Sequence, residues 1–165
     1  MLFRSDTVVP WAAARSQSSE VPAKWPRIAA ESSKQSRRAR FPVITPAHTT
    51  AAVCQLITNS VNAGGLVLLC HESAHTPIAE VLFASGALAG SAKHDATTAA
   101  TVPAEVIIVV GPEGGLTDEE LAAFTAAGAQ PVVMGPVVMR AATAGAAAAC
   151  IVSALTNRWR GGSPR

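Results

Sequence analysis

The chain contains no tyrosine, and only three Trp and four Phe among its 165 residues. A core filled by aromatic bulk is therefore excluded. Alanine supplies much of the 49% hydrophobic content, so helices with small, close contact surfaces are expected instead. Cysteine is equally scarce. Cys54, Cys70 and Cys150 are odd in number and far apart, with no CxxC pair, and His48, His71, His75 and His94 form no ligand-spaced cluster with them. This pattern excludes a disulfide framework and a structural zinc site, so no metal is expected. It leaves buried, reduced thiols in a cytoplasmic protein. An uninterrupted strongly apolar run is also lacking. Ala141–Ala154 is apolar for long enough to raise the question of a membrane span, but its weak hydrophobicity and its Thr, Gly and Ser content favour a packed helix. Val8–Ala14 is too short for a signal-peptide core, contains Pro10 and follows Asp6.

At this length a single domain over residues 1–165 is expected, large enough to bury most of its apolar surface. The net charge of +2 does not mark the whole chain as a nucleic-acid binder. The basic residues are unevenly spread, however. Lys34, Arg37, Arg38 and Arg40 fall close together, preceded by Lys24 and Arg27.

Strand and helix patterns alternate along the chain. Thr7–Val9 reads as a short strand. Trp25 to about Ala39 reads as a helix, with Pro26 in its first turn and Pro42 beyond its end. Trp25, Ile28, Ala29, Ser32 and Ser36 share one face of it, and Arg27, Glu31, Lys34 and Arg38 another. Thr49–Asn62 is a second helix, with Val53, Leu56, Ile57 and Val61 inward. Leu66–Cys70 is a continuous apolar run, as expected of a strand covered on both faces. Pro77 opens a helix through Ser85, and residues 86–104 read as a mobile loop. Val106–Val110 is another apolar strand. Thr117 to Glu120 forms a capping box with Leu116 and Leu121 as its hydrophobic staple, and Gly128 stops the helix. Val132–Met134 reads as the next strand and about Thr143 to Arg158 as the last helix, with residues 159–165 a flexible tail. Apolar strands alternating with helices indicate an α/β fold with a parallel sheet.

Three strand ends carry candidate chemistry: Cys70-His71-Glu72, Gly111-Pro112-Glu113-Gly114-Gly115, and Gly135-Pro136-Val137-Val138-Met139-Arg140. In open α/β sheets ligands sit beyond the carboxyl ends of the strands. Neither GxxxxGK[ST] nor GxGxxG is present, which disfavours a nucleoside triphosphate or a dinucleotide. Read alone, the glycine loop is either a ligand turn or only a tight strand-to-helix connection.

Taken together, Val109–Leu116, Glu119/Glu120, Met134-Gly135-Pro136 and Met139-Arg140-Ala141-Ala142-Thr143-Ala144 resemble the C-terminal signature of the RsmE family. These are the bacterial 16S ribosomal RNA uridine N3-methyltransferases of the SPOUT superfamily. Gln35-Ser36-Arg37-Arg38 resembles the family's basic segment, and His71-Glu72 its mid-chain HE pair. The resemblance spans roughly residues 5–158. It implies a SPOUT-type parallel sheet with a C-terminal deep trefoil knot, a homodimer, and an S-adenosylmethionine pocket lined by Gly111, Glu113, Gly114, Met134, Gly135 and Met139. Leu69 and His71 would close that pocket. By the same resemblance, family members carry an N-terminal PUA-like barrel followed by a first strand and helix, and this chain is expected to lack both. Where many members read L-R-x-E-T-A, this chain has Ala142 in place of the Glu.

The implied reaction is methyl transfer to a deprotonated uridine N3 of 16S rRNA in the small ribosomal subunit, driven by positioning and electrostatics. Arg140 would stabilise the imide anion or a nearby phosphate; its structural alternative is pairing with a helix end or with Glu113. Glu113 would act as a base or orient its own loop. Lys34, Arg37, Arg38 and Arg40 would hold RNA phosphates, or form a solvated helix face. Two other readings stand beside this one. One is an inactive remnant that binds RNA or dimerises; the other is a SPOUT methyltransferase for another RNA.

Overall fold

A computed structural model of the chain describes residues 6–17, 21–35, 40–87, 103 and 105–156. In chain order the elements are β1 (Thr7–Val8), α1 (Trp25–Gln35), β2 (Val43–Ile44), α2 (Thr50–Asn62), β3 (Leu66–Cys70), α3 (Ile78–Ala84), β4 (Val106–Val110), α4 (Asp118–Ala126), β5 (Gln130–Val132) and α5 (Ala141–Leu155).

β3 organises the fold. Its five residues are all apolar and four are buried, so both faces and both edges need cover. β4 pairs with it in parallel along its full length, Leu66 opposite Val106 through Cys70 opposite Val110. β5 takes the other edge, also in parallel, giving the order β4-β3-β5. Side chains alternate across the pleat. Leu66 and Leu68 pack with Ile78, Val81 and Leu82 of α3 and with Ala148 and Val152 of α5. Val67 and Leu69 point to the opposite face, against Val53 and Ile57 of α2 and Phe124 of α4. The result is a three-layer α/β/α sandwich, as the alternation in sequence leads one to expect.

β1 and β2 form a second, two-stranded parallel sheet, with Thr7 opposite Val43 and Val8 opposite Ile44. The pairing continues as a bridge between Trp11 and His48. Trp11 joins this sheet to the main core, its ring meeting that of Phe124 edge to face at 4.9 Å.

The helix signals act as read. Thr49 caps α2 by accepting from the Ala52 N–H. Thr117 and Glu120 form a reciprocal capping box at α4, and Gly128, at φ 107°, lies just past its end. Three expectations are corrected. Val61, expected inward on α2, is 37% exposed. Ser60 is buried on α2 instead, where its hydroxyl donates to Glu105 Oε2 at 2.7 Å. β5 begins and ends two residues earlier than Val132–Met134, because Val133 leaves β3 and bridges to Pro77. α5 spans Ala141–Leu155, starting where Arg140 supplies an extended N-cap, and not from Thr143. The sequence-based loop over 86–104 and the tail over 159–165 lie almost wholly outside the described residues.

Phe124 is fully buried and is the largest side chain in the core. Phe124→Ala is expected to destabilise the fold by about 3–5 kcal/mol, combining lost burial with a cavity that neighbours cannot fill. Urea unfolding followed by far-UV circular dichroism measures it.

Candidate functional site

The carboxyl ends of β3, β4 and β5 open into one cleft of about 280 Å³. That volume lies near the small end of small-molecule pockets, roughly 300 to 1,000 Å³. Its walls come from Cys70-His71-Glu72 after β3, the Gly111–Leu116 loop after β4, and the Val132–Met139 segment after β5. Ala141 and Ala144 of α5 line it, as does Arg15 from the segment following β1.

Each wall is held by a specific local device. Leaving β3, the His71 N–H donates to the Val132 carbonyl at 3.0 Å, which keeps the β3 and β5 exits side by side. The Ser73 N–H donates to His71 Nδ1 at 3.3 Å. The Ser73 hydroxyl lies 2.8 Å from the same nitrogen, so the ring is held against its own loop. In the β4 loop, the Gly115 N–H closes a turn onto the Pro112 carbonyl at 2.9 Å. The loop is also held from outside, since Arg15 Nη1 donates to the carbonyls of Gly114 and Leu116, each at 3.1 Å.

The third wall differs. Among the described residues, no hydrogen bond reaches the main chain of residues 135–139. Gly135 adopts φ 152°, a backbone conformation that side-chain-bearing residues rarely take. Val137 and Val138 are 72% and 74% exposed at the rim. Apolar side chains of Val110, Val132, Met134 and Met139 complete the lining.

The charge of the cleft narrows its ligands. Its formal charges are two carboxylates, Glu72 and Glu113, against the single guanidinium of Arg15, one of whose nitrogens is already committed to carbonyls. A polyphosphate would face repulsion here, whereas a cationic or neutral nucleoside-like ligand would not. Cys70 contributes an inert wall, because burial alone pushes its thiol up to about 11. No group of three or more metal-ligating side chains occurs among the described residues, and no described helix is long and apolar enough to cross a membrane.

Of the residues named from sequence, Gly111, Glu113, Gly114, His71, Met134, Gly135 and Met139 converge on the cleft. Leu69 does not line it. Alternation along β3 turns Leu69 into the core beside α2 and α4, fully buried, and presents Cys70 in its place. Arg140 also lies outside the lining; it is exposed at the start of α5, where its carbonyl accepts from Thr143 and Ala144. Lys34 and Arg40 are exposed, far from burial, while Arg37 and Arg38 lie outside the described residues. On the same helix Arg27 and Glu31 form an exposed i, i+4 pair at 3.8 Å. Sequence reasoning missed Arg15. It belongs to no motif, and only the fold brings it about a hundred positions along the chain to the glycine loop.

Because a raised thiol pKa keeps Cys70 protonated, its alkylation at about pH 8 is expected to run about a hundredfold slower than that of a free thiol of pKa 9.0. Reactivity should climb only as pH approaches about 11. Residue-resolved mass spectrometry after timed iodoacetamide labelling checks both.

Comparison with known proteins agrees with this architecture. The RNA methyltransferase domain model matches residues 5–153. A ribosomal RNA small subunit methyltransferase E from Mycobacterium bovis is 38% identical over 136 residues, covering 82% of this chain and 45% of that protein. Its counterpart from Synechocystis is 30% identical, covering 80% of this chain and 38% of that protein. The chain thus spans less than half the length of these relatives. Among solved structures, a ribosomal RNA small subunit methyltransferase E from Neisseria gonorrhoeae, bound to S-adenosyl methionine, superposes with a TM-score of 0.68 at 22% identity. That match covers 91% of this chain and 55% of the other. With parallel strands, a cleft at their carboxyl ends and a family model matching nearly its whole length, the chain belongs to the RNA methyltransferase family whose curated members include the small subunit methyltransferases E.

Proposed function

We propose that the cleft binds S-adenosylmethionine and that the protein methylates uridine N3 in 16S ribosomal RNA. The observation that carries this reading is that the main chain of residues 135–139, which no hydrogen bond reaches among the described residues, lines one cleft together with the glycine loop. Those peptide groups suit the edge of an adenine, Met134 and Met139 suit its faces, and Glu72 and Glu113 suit a cation. When bound, the cofactor supplies an electrophilic methyl group on a sulfonium. The chain's own part is to hold the two reacting partners in line and to exclude water.

Arg140 is exposed and is not itself in the lining, but its chain neighbours Met139 and Ala141 are. There its guanidinium can stabilise the uridine imide anion as the N3 proton is lost, or hold the adjacent phosphate. Glu113, exposed on the glycine loop, is either the base or an orienting group for that loop. Lys34 and Arg40 would contact phosphates, which set position without reading sequence. A cytoplasmic homodimer and a deep trefoil knot belong to the same proposal. The knot is supported by the route of the chain. β5 lies on the far side of β3 from β4, yet α5 packs back against β4 and α3. On the way, Val133 donates to the Thr76 carbonyl and accepts from the Ile78 N–H, so the returning chain is gripped by the connection that leaves β3.

Calorimetric titration with S-adenosylmethionine tests the reading. Saturable binding is expected, and Gly135→Ala should weaken it at least about tenfold and lower melting by a few degrees, because a Cβ strains the backbone there although it meets no neighbour. A folded chain that takes up no cofactor sinks the enzyme reading and leaves an RNA-binding remnant.

Arg140→Ala separates binding from chemistry. Cofactor affinity should stay within about twofold of the wild type, while N3-methyluridine formed on unmethylated small ribosomal subunits falls by about a hundredfold. Mass analysis of nucleosides from the treated subunits gives the readout.

A further inference from the structure

The segment after β1 is joined to the glycine loop more tightly than a surface connection requires. Arg15 Nη1 donates to both the Gly114 and Leu116 carbonyls at 3.1 Å. One residue earlier, the Ala14 N–H donates to Glu120 Oε1 at 2.7 Å. Glu120 is only 5% exposed, and its other oxygen accepts the Thr117 N–H at 3.0 Å in the capping box. Two consecutive residues, 14 and 15, thus grip the stretch 114–120 at both ends. Charge-assisted bonds of this kind are stronger and more directional than neutral ones.

The packing agrees with the hydrogen bonds. A Cβ built on Gly114 would lie 3.0 Å from Arg15 Cβ and 3.4 Å from its carbonyl oxygen. The absence of a side chain at Gly114 therefore lets the arginine backbone close on the loop. Within the loop the Gly115–Pro112 turn is the main-chain tie; its position relative to the opposite wall depends on what holds it from outside. Arg15 itself lines the cleft.

We propose that Arg15 is a positioning residue for the cofactor cleft: by clamping the Gly114 and Leu116 carbonyls it fixes the glycine wall at the spacing at which residues 135–139 face it. This rests on the reading of the cleft as an S-adenosylmethionine site. It makes Gly114 a packing partner of Arg15 instead of a ligand-approach glycine. It also ties the two-stranded β1–β2 sheet to the cleft, so that the segment bearing β1 contributes to cofactor affinity without touching the reacting atoms.

Three proteins decide it: the 165-residue chain, Arg15→Met, which keeps the aliphatic stem but removes the donors, and Arg15→Lys. Each is titrated calorimetrically with S-adenosylmethionine, and its thermal melting is followed in parallel. Arg15→Met is expected to weaken binding about tenfold or more while melting shifts little, and Arg15→Lys to recover at least half of that loss on a logarithmic scale. A purely structural arginine would lower melting and affinity together, and lysine would not restore affinity at equal melting. A weakening of less than about threefold in Arg15→Met, or no recovery with lysine, overturns the proposal. Should Arg15→Met fail to fold, Gly114→Ala places a Cβ 3.0 Å from the Arg15 Cβ and pushes the arginine off the loop carbonyls, so wild-type affinity in that variant overturns it equally. If the unaltered chain binds no S-adenosylmethionine, the reading of the site has failed and not the clamp; if it binds and the variants bind alike, only the clamp has failed.

Discussion

Most of the structure follows from the burial of β3. A strand with four of five residues buried cannot form an edge or present a face to water. β4 and β5 must flank it, α2 and α4 must cover one face, and α3 and α5 the other. Since both neighbours run parallel to it, all three carboxyl ends emerge on one side. The cleft is therefore where three chain exits crowd together.

The second constraint is the carboxylate of Glu120. A buried charge is tolerated only when it is well paired by donors. Here the donors come from two places, the N-cap of its own helix and the Ala14 peptide far away in sequence. A residue that could have been a local capping device thus also fixes where the β1 segment lies. Trp11 against Phe124 adds an apolar contact to the same junction, so the two sheets share one side of the core.

How much of this could be read from the residues depends on the range of the interaction. Elements governed by local chemistry were legible: the Thr49 cap, the Thr117–Glu120 box and the apolar runs of β3 and β4 agree with their sequence signals. The glycine loop and the Gly135–Met139 segment are legible as turns because glycine and proline punctuate them, and both line the cleft. Tertiary pairing set what was misread. β5 was displaced because Val133 is taken by Pro77, which no local pattern encodes. Leu69 was placed in the pocket by resemblance, but the two-residue period of the strand sends it to the core and brings Cys70 to the wall. Arg15 was invisible for the same reason, since its partners are defined only by the fold.

The parallel pairing has a consequence for how the molecule is made. Leu66 meets Val106, Leu68 meets Gln130 and Thr7 meets Val43, so no strand pairs with a near neighbour in the chain. Each ladder must wait for a long loop to close before any of its hydrogen bonds can reward that loss of freedom. Such topologies assemble slowly, and the newborn chain carries bare apolar strands for the duration. The cleft, drawn from all three strand exits and the β1 segment, can be completed only when every ladder is in register. Occupancy of that cleft therefore reports on the assembly of all the described strands, and a ligand held there would act as the final fastening of ladders that are all long-range.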